Sequence, residues 1–134
     1  MYPKVLGVDP AVAKKLWQRI DEGVSTAAQQ LPVNTQQLRV YIEVNRAPFG
    51  AGPRSFIGET LTRMGVGNIL PASLGPFPQV NPEFVVRAQP DVIMAGDSSR
   101  ASVLARPGWS SLRAIQSGRL CVFTPDESNW LVRA

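Results

Sequence analysis

The stretch LRVYIEVNRAPFGAGPRSFIGE, residues 38–59, decides the fold. Its first seven residues alternate between polar and apolar side chains and are rich in β-branched types, which is typical of a strand. A loop rich in Gly and Pro follows over Asn45–Pro53. Ser55 then supplies the N-cap of a helix over about residues 56–64, which Gly65 ends. The stretch therefore predicts a strand, a connecting loop and a helix.

The same alternation of helix and strand extends in both directions from this stretch. On the N-terminal side, Asp9-Pro10 provides an N-cap and a first-turn proline for a helix that runs to about Gln30. Apolar residues recur at every fourth position of that helix, at Val12, Leu16, Ile20 and Val24. On the C-terminal side the pattern predicts a short helix from Asn81-Pro82-Glu83, a strand at Val92–Ala95, helices over residues 98–104 and 109–115, and a strand over Leu120–Phe123. This order predicts one α/β domain, a three-layer α/β/α arrangement with a mostly parallel central sheet.

Composition excludes several classes of function. The 134 residues have the composition of an ordinary globular protein, without an apolar run near the length that spans a membrane. The chain has no His and one Cys, Cys121, which we expect to be a buried core residue. It therefore lacks the usual protein ligands of a zinc, haem or Fe–S site and the imidazole base of a Ser-His-Asp or Cys-His catalytic unit. The net charge is +4, but Lys and Arg are scattered, which argues against a nucleic-acid partner.

The fold class also predicts where a ligand would bind. In open α/β sheets the binding crevice lies beyond the carboxyl ends of the strands. Three loops rich in Pro, Gly or polar residues are expected at that end, and each carries an aromatic residue: Phe49, Phe77 and Trp130. Aromatic walls suit a large flat or apolar ligand, so these loops form the candidate site.

Three motifs, in order and at suitable spacing, resemble a known family. They are VNRAPFGAG with SFIGE and GVGNI over residues 44–69, FPQVNPE with QPDVI over residues 77–93, and RPGW with AIQSGRL over residues 106–120. The chain is similar to the C-terminal lobe of cobalamin- and siderophore-type periplasmic substrate-binding proteins of ABC transporters, the class with a helical hinge. The resemblance runs from about Val40 to Arg133.

The resemblance implies a domain organisation and a location. Residues 1–33 correspond to the start of the interlobe helix, and residues 34–134 to a C-terminal substrate-binding lobe that stops before the last helix. No leader with a basic and then an apolar segment is visible, so we expect either a cytoplasmic protein or a piece of a longer precursor. Members of the family are periplasmic, or extracellular and membrane-anchored. The partners implied are an N-terminal lobe of the same protein and an ABC-transporter permease.

The resemblance also implies roles for individual residues. Phe49, Phe77 and Trp130 match positions that line the ligand cleft, although the cobalamin binder has Trp where this chain has Phe77. Arg46 and Arg54 flank the first cleft loop, where they can pair with carboxylates on a siderophore or on haem. The cargo stays open among corrinoid, haem and ferric siderophore, and no intrinsic cofactor or catalytic step is expected.

Glu83 matches a surface glutamate that docks the lobe onto arginines of the permease. A carboxylate at this place is chemically suited to the role, because it can accept two parallel hydrogen bonds from one Arg.

Two other functions stay open at this point. One is a small α/β enzyme that uses carboxylates for acid–base chemistry, with Glu43, Asp97, Asp126 and Glu127 as candidates. No telling spacing pairs these residues, and no GxxxxGK[ST] phosphate loop is present. The other is a ligand-sensing regulatory module built on the same lobe.

Overall fold

A computed structural model describes residues 10–30, 38–45, 48–96 and 98–123 of the chain. The α-helices are α1 (Pro10–Gln30), α2 (Phe56–Arg63), α3 (Pro82–Ala88), α4 (Arg100–Leu104) and α5 (Arg113–Gln116). The strands are β1 (Arg39–Asn45), β2 (Phe49–Gly50), β3 (Gly67–Asn68), β4 (Val92–Ala95) and β5 (Leu120–Val122). Two short 3₁₀ helices cover Ala72–Leu74 and Trp109–Ser111.

The five strands form one mostly parallel sheet. β4 lies between β1 and β5 and runs parallel to both. The other edge of β1 pairs with two short strands, β3 in parallel near its start and β2 antiparallel near its end. The predicted α/β class with a mostly parallel sheet is confirmed.

Helices cover both faces of the sheet, and each face has its own hydrophobic core. On the first face, α1 and α2 pack against the even-numbered side chains of β1, which include Val40 and Ile42. Leu16, Ile20 and Val24 of the predicted stripe of α1 are buried there, whereas the side chain of Val12 lies outside the described part of the chain. Each such side chain contributes about 1.5–3 kcal/mol relative to an exposed one. On the second face, α3, α4, α5 and the 3₁₀ turn at Trp109–Ser111 enclose a core around Tyr41.

Side-chain caps explain why the helices begin where the sequence predicts. Ser55 Oγ accepts a hydrogen bond of 3.0 Å from the backbone N–H of Gly58 at the start of α2. Asn81 caps α3 in the same way, through a 2.9 Å bond from the N–H of Glu83. These bonds satisfy N–H groups that have no partner within the first helical turn.

The structure departs from the sequence-based expectations at several places, and the short strand β3 is one of them. The loop after β1 contains β2, which is held by β1 across the sheet rather than by its own sequence. The helix predicted over residues 109–115 is interrupted at Leu112, whose φ of −61° and ψ of 135° are extended. Leu112 is fully buried, so the break turns its side chain into the second core. Cys121 is only partly buried, contrary to expectation, because it lies on β5 at the edge of the sheet; Arg19 covers it there, with Nη2 3.4 Å from Sγ.

Candidate ligand-binding site

Two of the three predicted aromatic loops run side by side. Residues 48–52 and 76–80 form an antiparallel pair, which we call the aromatic ribbon. Three backbone hydrogen bonds hold it: Gly50 N–H to Pro78 O at 3.0 Å, Gly52 N–H to Pro76 O at 2.9 Å, and Val80 N–H to Pro48 O at 2.9 Å. β2 is part of the ribbon and pairs with the last residues of β1, so the ribbon lies at the carboxyl end of that strand.

The register of the ribbon brings Phe49 and Phe77 to the same side. Phe49 pairs with Gln79, and Phe77 lies two residues before Gln79. Both rings pack against the first core, so they lie on the same face of the sheet. Both are partly buried against the first core and keep a fraction of their surface exposed. Trp130, the third aromatic residue of the predicted site, lies outside the described residues.

Arg54 lies at the turn between the ribbon and α2. Its side chain is exposed, and within the described part of the chain its guanidinium makes no hydrogen bond or ion pair. Such a cation remains available to an anionic group of a ligand. Arg46, the other predicted cation, lies outside the described residues.

Three polar side chains fix the backbone around the ribbon, and of these the sequence singled out only Ser55, as a helix cap. Asn68, at the end of β3, donates from Nδ2 to Ala51 O at 2.9 Å. Asn45 accepts a 3.2 Å bond from the N–H of Phe49 through Oδ1. Ser55 Oγ donates to Gly52 O at 2.7 Å in addition to its capping role. Asn and Ser side chains commonly hydrogen-bond to nearby backbone, so their residue types were the signal that the sequence offered. Their particular partners depend on the fold.

The carbonyl of Gly52 also sets a steric constraint on α2. A Cβ at Gly58 would lie 1.9 Å from Gly52 O, so only glycine lets α2 approach the ribbon this closely.

A buried charge cluster, which we call the Glu43 network, lies on the second face of the sheet. Both carboxylate oxygens of Glu43 accept hydrogen bonds from Arg106, at 2.8 and 2.7 Å, and Tyr41 donates its hydroxyl to one of them at 3.0 Å. The guanidinium of Arg106 lies 4.5 Å from the ring centre of Trp109. The indole of Trp109 in turn donates to the carbonyl of Pro82 at 3.3 Å. The network thus links β1 to the first turn of α3.

Burial fixes the ionisation of this network. Burial raises the pKa of Tyr41 far above its usual range, and the negative charge of Glu43 and the hydrogen bond to it raise that pKa further. Burial by itself would lower the pKa of Arg106, but the hydrogen bonds and the charge of Glu43 outweigh it, so that pKa is raised. Tyr41 is therefore a neutral donor and Arg106 a permanent cation.

The Glu43 network bears on the carboxylate-enzyme hypothesis. The carboxylate of Glu43 is fully buried and already accepts three hydrogen bonds, so it is not available to take a proton from a substrate. The other three candidate carboxylates, Asp97, Asp126 and Glu127, lie outside the described residues. Among the described residues there is no group of three or more Cys, Asp or Glu side chains that could hold a metal ion.

Glu83 lies in the first turn of α3, three residues after the end of the ribbon. Its side chain is exposed, and in the described ranges of the chain its carboxylate has no ion-pair partner. The backbone beneath it is held on both sides, by the Asn81 cap and by the bond from Trp109 to the carbonyl of Pro82.

The described helices include none long and apolar enough to cross a bilayer.

Comparison with known proteins gives one family and several solved structures. A family model described as periplasmic binding protein matches residues 8–127. An ABC transporter substrate-binding protein from Listeria monocytogenes EGD-e is 15% identical with a TM-score of 0.57, over 91% of this chain and 53% of that one. No curated protein sequence matches the chain.

Two further solved structures have ligands in their descriptions. The periplasmic vitamin B12 binding protein BtuF of Vibrio cholerae is 22% identical with a TM-score of 0.58, over 87% of this chain and 46% of that one. IsdE of S. aureus, complexed with heme, is 13% identical with a TM-score of 0.57, over 90% of this chain and 55% of that one. The chain thus spans about half the length of the solved structures it matches. At these identities the similarity shows a shared fold.

Proposed function

The chain belongs to the periplasmic binding protein family, and from this premise we propose that it is the C-terminal ligand-binding lobe of an extracytoplasmic solute-binding protein serving an ABC importer. The partners in this proposal are an N-terminal lobe of the same protein and the permease of the importer. Coverage of about half of each two-lobed relative supports the assignment to a single lobe. The function is to bind and release a solute, without a catalytic step.

The observation that carries the proposal is that Phe49 and Phe77 lie on adjacent segments of the aromatic ribbon and on the same side of it. Two partly exposed rings at the carboxyl end of a parallel sheet offer a flat apolar wall of the kind that binds large planar or apolar ligands. The exposed cation of Arg54 beside the wall suits a ligand that carries carboxylates. These features favour a metal chelate, namely a corrinoid, haem or a ferric siderophore.

Each predicted site residue has a part in this proposal. Phe49, Phe77 and Trp130 form the wall, and Arg46 and Arg54 bind carboxylates of the ligand. The lobe alone supplies half of the contacts, so an isolated lobe should bind its ligand weakly.

Glu83 docks the lobe on an arginine of the permease. The exposure of its carboxylate and the rigid attachment of its backbone support this role, because a preorganised carboxylate loses little entropy when it accepts two bonds from an Arg.

A titration of the full-length mature protein tests the proposed function. Cobalamin, haem and a panel of ferric siderophores are added while intrinsic Trp fluorescence is followed. Saturable quenching by one class is expected. Phe77→Ala should weaken that binding about tenfold, or ~1.4 kcal/mol, the upper range for one aromatic contact.

Phe84→Ala is the matched control, because Phe84 is also partly buried but packs against the second core on the other face. It should leave ligand affinity unchanged. If the wild type and Phe77→Ala bound the ligand with equal affinity, Phe77 would have a structural role and no part in ligand binding. A folded protein that binds none of the compounds would contradict the proposed cargo class.

A further inference from the structure

The outer edge of β5 has no partner strand among the described residues of the chain. The opposite edge of β5 pairs with β4, where the N–H of Phe123 donates to Ala95 O at 2.9 Å. Backbone groups of successive strand residues point to opposite edges, so Leu120 and Val122 direct theirs outward. An edge of this kind is a template on which a strand of another chain can pair.

Two arginines reach this edge from opposite faces of the sheet. From α1 on the first face, Arg19 donates through Nη2 to the carbonyl oxygen of Val122. From α4 on the second face, Arg100 donates through Nη2 to the carbonyl oxygen of Leu120 at 3.1 Å. Each outward carbonyl of β5 therefore already accepts a hydrogen bond from a guanidinium, which a pairing strand would have to displace.

The two arginines also place positive charge along the edge. Arg19 is held across the first face of β5, because its guanidinium lies 5.5 Å from the ring centre of Phe123 and its Nη2 is 3.4 Å from Cys121 Sγ. Arg100 is exposed and keeps its charge in water. Two cations thus flank a strand of three residues. If two copies paired through this edge, four guanidinium groups would be brought together, and like charges at close range repel.

We infer that Arg19 and Arg100 close the outer edge of β5, and that the partner which they exclude is the same edge of a second copy of the chain. In the excluded pair, the two β5 strands lie antiparallel about a twofold axis and exchange hydrogen bonds through Leu120 and Val122. Every copy carries this edge, and a twofold pair needs no other complementary surface. The inference concerns the association state of the lobe and does not depend on the proposed function.

Sedimentation velocity of the full-length mature protein tests this inference, in reducing buffer so that Cys121 forms no cross-link. The double variant Arg19→Met with Arg100→Met keeps two unbranched side chains but removes their charges and donors. It should dimerise at a protein concentration at least about tenfold lower than the wild type. The matched control is Arg63→Met with Arg113→Met, which makes the same chemical change at exposed positions of α2 and α5. The control should sediment as the wild type does.

Val122→Pro shows whether the dimer forms through β5. The N–H of Val122 points outward, so its loss leaves the bonds to β4 intact and blocks pairing at the outer edge. Added to the double variant, this change should restore the monomer. Arg100→Met alone should shift association in the same direction by about threefold. It is the deciding variant if Arg19→Met lowers the urea midpoint of the lobe.

Four results would overturn the inference. The first is a monomeric double variant, or a monomeric Arg100→Met where the double variant is destabilised. The second is a control that dimerises as strongly, since any lost surface charge would then have the same effect. The third is a dimer that persists with Val122→Pro, which would form through another surface. The fourth is a wild type whose dimer Val122→Pro abolishes, because its edge would already be open.

Discussion

Replacing Arg106 with Met should destabilise the fold more than any change at the protein surface. The substitution keeps an unbranched side chain over Trp109 but removes both hydrogen bonds to Glu43. It leaves a fully buried carboxylate with one remaining donor, the hydroxyl of Tyr41. Breaking a buried pair by removing one partner costs about 3–5 kcal/mol. Because the side chain of Arg106 is 16% exposed, we expect the lower end, about 3 kcal/mol.

Urea unfolding followed by circular dichroism measures this loss. At neutral pH the midpoint for Arg106→Met should fall with an unchanged m-value, and the thermal midpoint should drop by about 10 °C.

The double variant Glu43→Gln with Arg106→Met is the matched control. Gln keeps an oxygen for the Tyr41 hydroxyl but carries no charge, so the double variant should recover at least half of the lost stability. Two results would refute the explanation that the loss of stability comes from an unpaired buried charge. One is a loss of less than about 1 kcal/mol in Arg106→Met. The other is a double variant that is no more stable than Arg106→Met.

Two further predictions concern the ribbon and the Glu43 network. Gly58→Ala should destabilise the lobe by ~1–3 kcal/mol, because the added Cβ would lie 1.9 Å from Gly52 O. Gly23→Ala in helix α1 is the control: its added Cβ would have its nearest contact at 3.4 Å, so the free energy of unfolding should rise by ~0.5–1 kcal/mol. Equal urea midpoints for the two variants would contradict the steric argument. Since the folded-state pKa of Tyr41 is raised, the stability it contributes is present below its unfolded pKa of about 10 and is lost as the pH rises above that value. Above pH 10 the unfolding free energy should fall with pH in the wild type, with a slope that is steeper than in Tyr41→Phe by ~1.4 kcal/mol per pH unit. If the two proteins gave parallel plots of unfolding free energy against pH, the hydroxyl of Tyr41 would not be buried next to Glu43.

Elements that depend on local pattern were predictable from the sequence. Helix α1 begins at Pro10 and buries Leu16 and Ile20 because its four-residue periodicity and its proline are local signals. The caps at Ser55 and Asn81 are likewise local, and both helices begin at the next residue. The parallel sheet followed from the alternation of helices and strands.

Features that depend on distant residues were not predictable. β2 and β3 are two residues each and exist because β1 pairs with them, so their own sequence carries little signal. Arg106 pairs with Glu43 across 63 positions, and the sequence offered Glu43 only as a candidate acid–base residue. The strand-end rule predicted that the loops of Phe49 and Phe77 lie at one end of the sheet, but not that these loops pair antiparallel. The cleft and docking roles of these residues and of Glu83 remain predictions.

The shared attachment of the ribbon and α3 to β1 has a mechanical consequence. The N–H of Ala51 bonds to Ile42 O at 2.8 Å on one side of β1, and the Glu43 network clamps the same strand to the first turn of α3 on the other. β1 is therefore the common anchor of the ribbon and of α3, so a substitution that loosens this strand should disturb both surfaces together.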